Sequence, residues 1–187
     1  MGEEDHIKPA VQALGTLDLW QIAIKPGKPF AHGRINTSVR AEPFDVFRTG
    51  LVEAGASPST PSTELRTGGS GRTDFCHFIG LPGNPVSSFV TFLLLVRPFL
   101  LKLQGAEQLA MKTVAARADF TWPRADMRRE FLRARRNGEG GLDLFPNQSS
   151  GVLTSAVWGD GLVDNPSGRT IAPGDSVQFV SFAELLA

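Results

Sequence analysis

The stretch Phe75-Cys76-His77-Phe78-Ile79-Gly80-Leu81-Pro82-Gly83-Asn84-Pro85-Val86-Ser87-Ser88-Phe89 decides the fold class. Phe75–Ile79 reads as a short strand, and the two glycines and two prolines that follow make a turn. A long apolar helix then runs from about Val86 to Leu103 and is closed by Gly105. Asn84 suits the N-cap, and Pro85 suits the first helical position, where the missing N–H costs nothing. A glycine-bearing loop between a strand end and a helix start brings backbone N–H groups and the positive dipole end together. That is the physics of phosphate and oxyanion binding. The apolar run Phe89–Leu101 is interrupted by Arg97-Pro98 and falls short of the roughly 20 residues a bilayer span needs, so a buried core helix is expected.

On the N-terminal side, residues 5–14 read as a helix capped by Asp5 and stopped by Gly15, with Pro9 in its first turn. Leu17 to Ile24 reads as a half-buried strand, Lys25-Pro26-Gly27-Lys28-Pro29 as a rigid turn, and Phe30 to Ile35 as the next strand. Strand–loop–helix units of this kind imply an α/β layer. Residues 36–74 are dominated by Ser, Thr, Pro and Gly, with a weak apolar patch at Phe44–Val52, and are read as a flexible insertion.

On the C-terminal side, short strands are expected at Lys112–Ala118, Arg129–Arg135, Leu142–Phe145, Gly161–Asp164 and Ser176–Phe182. Gly, Asn and Pro turns separate them, and Ser149–Ala156 reads as a helical turn. The chain therefore divides into a partial α/β domain, residues 1–108, and a small antiparallel β domain, residues 109–187.

Composition narrows the function. The 187 residues carry 19 Lys plus Arg against 19 Asp plus Glu, so no global charge bias draws the chain to nucleic acid or an anionic membrane. The single cysteine, Cys76, excludes a disulfide framework and fits a reducing, cytoplasmic setting. No basic region precedes an apolar one at Met1-Gly2-Glu3-Glu4-Asp5, so no signal peptide is expected.

Five stretches of sequence could carry chemistry. Lys25 and Lys28, three apart across a proline-stiffened turn, can converge on one anion, and Gly27 lets the backbone come close to it. Both this turn and the Gly80–Pro85 loop end predicted strands of one layer, so one sheet rim is expected to carry both. Glu3-Glu4-Asp5 could place a carboxylate on a divalent cation. Along Arg128-Arg129-Glu130-Phe131-Leu132-Arg133-Ala134-Arg135-Arg136 the arginines alternate, which makes one strand face cationic. Phe145-Pro146-Asn147-Gln148-Ser149-Ser150-Gly151 adds amides and hydroxyls in a turn.

Together, Lys-Pro-Gly-Lys-Pro after a strand, Gly-Leu-Pro-Gly-Asn-Pro-Val-Ser before a helix carrying Arg-Pro, and Arg-Glu-Phe-Leu-Arg in a β domain resemble the MoeA family, the molybdopterin molybdenumtransferases. The resemblance covers Gly2–Ile35 and Phe75–Ala187. It implies a partial three-layer molybdopterin-binding α/β domain followed by a barrel-like C-terminal domain IV. It also implies insertion of molybdate into adenylylated molybdopterin with release of AMP, a Mg2+ cofactor and a homodimer. By resemblance, Asp5, Lys25 and Lys28 are the catalytic candidates, with Asp5 also the metal ligand. Gly27, Pro82, Gly83, Asn84, Pro85, Arg128, Arg129 and Ser150 would bind substrate or anion, with either arginine able to fill its role. The chain departs from the family in three ways. Met1-Gly2-Glu3-Glu4-Asp5 looks like the middle of the family's longer Gly-Gly-x-Ser-x-Gly stretch, Gln21 stands where some members carry a lysine, and residues 36–74 are long. Residues 1–187 alone are therefore expected to associate and not to insert molybdenum. A non-catalytic binding or scaffolding module is the alternative.

Overall fold

The computed structural model describes residues 6–36 and 75–186. Asp5 and the candidate insertion, apart from Asn36, lie outside them. Helix α1 (Ile7–Leu14) begins at an N-cap position held by His6 and leads directly into β1 (Gly15–Leu19). The expected continuous strand to Ile24 is broken: residues 20–23 leave the sheet, and only Ile24–Lys25 pairs again, as β2. The reason is a change of partner. β1 pairs antiparallel with β3 (Ala31–Asn36), which pairs antiparallel with β4 (Phe75–Gly80), making a three-stranded sheet. β2 instead pairs in parallel with a strand of the C-terminal barrel.

After β4 the chain turns at residues 81–84 and enters one long helix, Pro85–Leu103. It is built from α2 (Pro85–Thr91), a π-helical turn (Phe92–Val96) and α3 (Arg97–Leu103). Pro98 explains the wider turn. It has no N–H to give to the carbonyl four residues back, and the backbone re-registers ahead of it. At 19 residues and mean hydropathy 1.8 this helix is long and apolar enough to cross a membrane by length and composition. Its observed environment is a protein core, because Val86, Val90, Leu93 and Leu94 are buried against Phe131, Leu162, Val180 and Leu185. That burial thins out along its length, and α3 has no buried residue.

The barrel consists of β5 (Val114–Ala118), β6 (Arg129–Arg136), β7 (Gly141–Leu144), β8 (Gly161–Asn165) and β9 (Ser176–Ser181). The order β6-β7-β5-β9-β8 closes on itself through a β6–β8 pairing, which removes the open edges. The pairing is not wholly antiparallel as expected, because β5 meets β7 in parallel at Arg117↔Gly141 and Ala118↔Leu142. Short helices α4 (Thr154–Trp158) and α5 (Phe182–Leu186) complete the domain. Strand alternation sorts two cores. Leu132, Ala134, Val163, Val177 and Phe179 fill the barrel, while Phe131, Leu162 and Val180 face outward beneath the long helix.

That second burial corrects the expected cationic strand face. Arg129 and Arg135 are exposed, but Arg133, on the same side of β6, is 1% exposed beneath other elements. The expected fold class holds: an α/β portion followed by a small closed barrel.

Candidate functional site

A cavity of about 380 Å³ opens where the two portions meet. One wall is the turn Lys25-Pro26-Gly27-Lys28-Pro29, a second is Asn84 and Ser87 at the start of the long helix, and the third is Arg128 with Gln148, Ser149 and Ser150 of the barrel. The turn and the helix loop therefore converge, but not on one sheet rim: β2 belongs to the barrel sheet and β4 to the three-stranded sheet.

Gly27 is required by packing. Its φ is +129°, and an added Cβ would lie 2.4 Å from Thr91 Cγ2 of α2, so the turn is seated directly on the helix. Asn84 is at the N-cap position without a side-chain cap bond, and its carbonyl accepts the Ser88 N–H at 2.9 Å. Pro85 has no N–H, and the Val86 N–H donates to Ser150 O at 3.1 Å. Much of the first-turn donor capacity expected to face an anion is therefore spent on the barrel loop and on the helix itself. Pro82 and Gly83 line a neighbouring cavity of about 190 Å³ with Trp20 and Gln21, and the two cavities meet at Pro29. Pro82 O also accepts a hydrogen bond from Ser88 Oγ.

Charge at the cavity is partly compensated. Lys25 Nζ lies 3.0 Å from Glu130 Oε1 and 3.3 Å from Asp126 Oδ2. Glu130 is fully buried, and its other oxygen accepts from Trp122 Nε1 at 2.7 Å and Asn165 Nδ2 at 3.3 Å. Arg128 grips Asp126 through two side-chain hydrogen bonds, at 2.9 and 2.8 Å. That grip, with the Arg128 backbone N–H and then Lys25, holds the Asp126 carboxyl well below the usual carboxylate range and raises the Arg128 guanidinium. Lys28 is exposed and has no ion-pair partner among the described residues. Three cations thus face two carboxylates.

Of the two candidate arginines, Arg128 lines this cavity and Arg129 does not. Arg129 pairs with Asp164, 2.6 Å from Nε to Oδ1, and lies over the Phe131 ring. Ser150 lines the cavity as expected. Gln148 and Ser149, from the turn whose amides and hydroxyls the sequence singles out, also line the cavity, whereas sequence reasoning missed Ser87 on the lining and the carboxylates Asp126 and Glu130 as partners of its cations. Gln148 acts as a clamp: it accepts from Arg133 N at 2.9 Å and donates to Arg133 O and Phe145 O, both at 2.9 Å.

Among the described residues no group of three His, Cys, Asp or Glu could hold a metal. Both carboxylates at the cavity are already engaged by cations or N–H donors. The described residues do not fit Mg2+, and Asp5, its expected ligand, lies outside them.

A closed five-stranded barrel carrying an anion-compatible cavity against a long apolar helix defines the class: a small β domain that builds its site jointly with a preceding α/β portion. Residues 115–182 match the MoeA C-terminal region, domain IV. A molybdopterin molybdenumtransferase from Haemophilus influenzae is 34% identical over 108 residues, covering 58% of this chain and 17% of that protein. The molybdenum cofactor synthesis protein cinnamon of Drosophila melanogaster is 36% identical over 104 residues, 52% of this chain and 17% of that protein. The chain thus spans about a sixth of the length of these curated relatives. A crystal structure of a molybdopterin biosynthesis MoeA protein from Pyrococcus horikoshii superposes with a TM-score of 0.62 at 25% identity, covering 94% of this chain and 34% of that one. A molybdenum cofactor biosynthesis protein from Pyrococcus furiosus shares the fold, with a TM-score of 0.58, 20% identity, and 89% and 46% coverage.

Proposed function

We propose that this chain serves molybdenum cofactor biosynthesis as the C-terminal part of a molybdopterin molybdenumtransferase. Its cavity would hold molybdate for insertion into adenylylated molybdopterin, with release of AMP. The observation that supports this reading is the convergence of Lys25, Lys28, Asn84, Arg128 and Ser150 on one cavity. A tetrahedral oxyanion offers four acceptors, and ammonium, guanidinium, amide and hydroxyl groups supply donors from several directions. In this reading Lys28 and Arg128 bind and orient the anion, Lys25 is held in place by Glu130, and Asn84 and Ser150 contribute neutral donors. The Mg2+ ion belongs with Asp5, and the working molecule is a cytoplasmic homodimer.

The test is calorimetric titration of the full chain with molybdate. Lys28→Ala and Arg128→Ala should each lower affinity by about tenfold, the loss of one charge-assisted hydrogen bond. Lys102→Ala, an exposed lysine of the last turn of α3, should leave affinity unchanged. The absence of saturable wild-type binding, or equal losses in all three variants, would exclude the reading. Incubation of the full chain with adenylylated molybdopterin, molybdate and Mg2+ then separates molybdenum insertion from anion binding alone.

A further inference from the structure

Arg133 is a buried cation with no anion beside it among the described residues. The residue is 1% exposed, and its guanidinium donates to Ser155 Oγ at 3.1 Å, Ser149 O at 3.3 Å and Phe131 O at 3.4 Å. All three acceptors are neutral, and no carboxylate pairs with it among the described residues. Burial alone draws the guanidinium down to about 10, which leaves it charged at neutral pH. An uncompensated buried charge is expensive to a fold, and an apolar side chain of similar length would fill the same space at less cost.

Its position suggests what offsets that expense. Ser149 accepts from the guanidinium, and Gln148 brackets the Arg133 backbone N–H and C=O, both at 2.9 Å. Gln148 and Ser149 both line the oxyanion cavity. The guanidinium therefore lies one peptide carbonyl behind the cavity wall, in surroundings that screen it far less than water does. Lys25 and Arg128 at the cavity are offset by Glu130 and Asp126, whereas Arg133 is not.

We propose that Arg133 is a buried source of positive potential for this cavity and sets its preference for an oxyanion dianion over a monoanion of the same shape. This rests on the reading of the cavity as an oxyanion site. Coulomb energy scales with ligand charge, so a field contribution worth about threefold in affinity for a monoanion is worth about tenfold for a dianion. A residue that merely braces the Ser149 loop would affect both anions alike.

The experiment titrates the full chain with molybdate and with perrhenate, tetrahedral oxyanions of charge two and one. Arg133→Met should lower molybdate affinity about tenfold and perrhenate affinity about threefold, so that the preference for the dianion shrinks about threefold. Arg133→Lys should restore the wild-type preference. If Arg133→Met does not fold, Arg133→Gln, which keeps a donor and loses the charge, gives the same ratio. A preference unchanged in the uncharged variant overturns this inference alone, whether both affinities fall together or neither moves. Failure of the wild-type chain to bind either anion overturns the oxyanion reading and this inference with it.

Discussion

Replacing Gly27 with alanine tests how the lysine turn is built. Two separate costs are expected. The backbone at Gly27 has φ +129°, a region that side-chain-bearing residues occupy at about 1–3 kcal/mol. The new Cβ would also stand 2.4 Å from Thr91 Cγ2, with Ile24 side-chain carbons at 3.2 and 3.3 Å. The Ile24 contacts need shifts of a few tenths of an ångström, but the Thr91 contact needs more than one. Thr91 is fully buried, and its Oγ1 is tied to Ser87 O at 2.7 Å, so it cannot swing aside freely. Overpacking of this kind costs about 1–3 kcal/mol. The single variant should therefore lose about 4 kcal/mol, a large part of a typical domain's stability. Thr91→Ser removes the offending methyl and keeps the hydroxyl, at about 1 kcal/mol for the lost buried carbon. In that background Gly27→Ala should cost only about 2 kcal/mol, the backbone share. Urea denaturation of the four proteins measures the coupling, expected at about 2 kcal/mol. Coupling below about 0.5 kcal/mol, the scatter of independent sites, would refute the claim that the turn is seated on Thr91.

Two further outcomes follow from the charges beneath the cavity. Glu130→Ala should destabilise the chain by about 3 kcal/mol, because Trp122, Asn165 and Lys25 lose their common acceptor at once, while Glu130→Gln should cost less; equal denaturation midpoints for the two variants would exclude it. Asp126 and Asp119 are held below their ordinary values, Asp126 by Arg128 first and Asp119, at about 2, by Arg117 and then Asn137. Depressed carboxylates stabilise the fold above their unfolded pKa of about 4, and that stability is lost as pH falls through 4 toward 2 and below. Denaturation midpoints should fall over that range and less steeply in Asp126→Asn; parallel pH profiles would count against it.

The elements that could be read from the sequence are those whose signals are local. The barrel strands announce themselves through period-two patterning and Asn-Gly or Pro-Gly turns, and the long helix through Asn84-Pro85 and a long apolar run. What escaped reading depends on remote partners. Leu17–Ile24 is patterned like one strand, yet β1 pairs with β3 while β2 pairs with β6, so the break between them is imposed from outside. The parallel contact of β5 with β7 that helps close the barrel has no local signature either. Arg133 reads as part of an open cationic face because nothing in β6 reveals that other segments cover it. Glu130 was legible in principle. It shares the inward face of β6 with Leu132 and Ala134, and a carboxylate in an apolar row demands a buried partner.

The cavity depends on the two portions of the chain remaining joined, and its joints are few. β2 contributes two residues to the barrel sheet, Lys25 reaches Glu130, and the Val86 N–H meets Ser150 O. Each such tie is worth about 1 kcal/mol or a little more, so none would hold the portions together alone. The long helix supplies the remainder by burying Val86, Val90, Leu93 and Leu94 on the outside of the barrel. Those four side chains, at about 1.5–3 kcal/mol each, together outweigh the polar ties. The arrangement assigns affinity and alignment to different groups: apolar burial keeps the walls together, and the polar ties set where Lys25, Arg128 and Ser150 stand. On the oxyanion reading this division has a chemical consequence. With Asp126 and Glu130 offsetting two of the three cations at the cavity, a dianion is held by aimed donors together with the charge of Lys28 and of the buried Arg133. An anion that must be passed to a second substrate is better served by such a hold than by a fully cationic pocket, whose extra ground-state binding would have to be overcome at transfer.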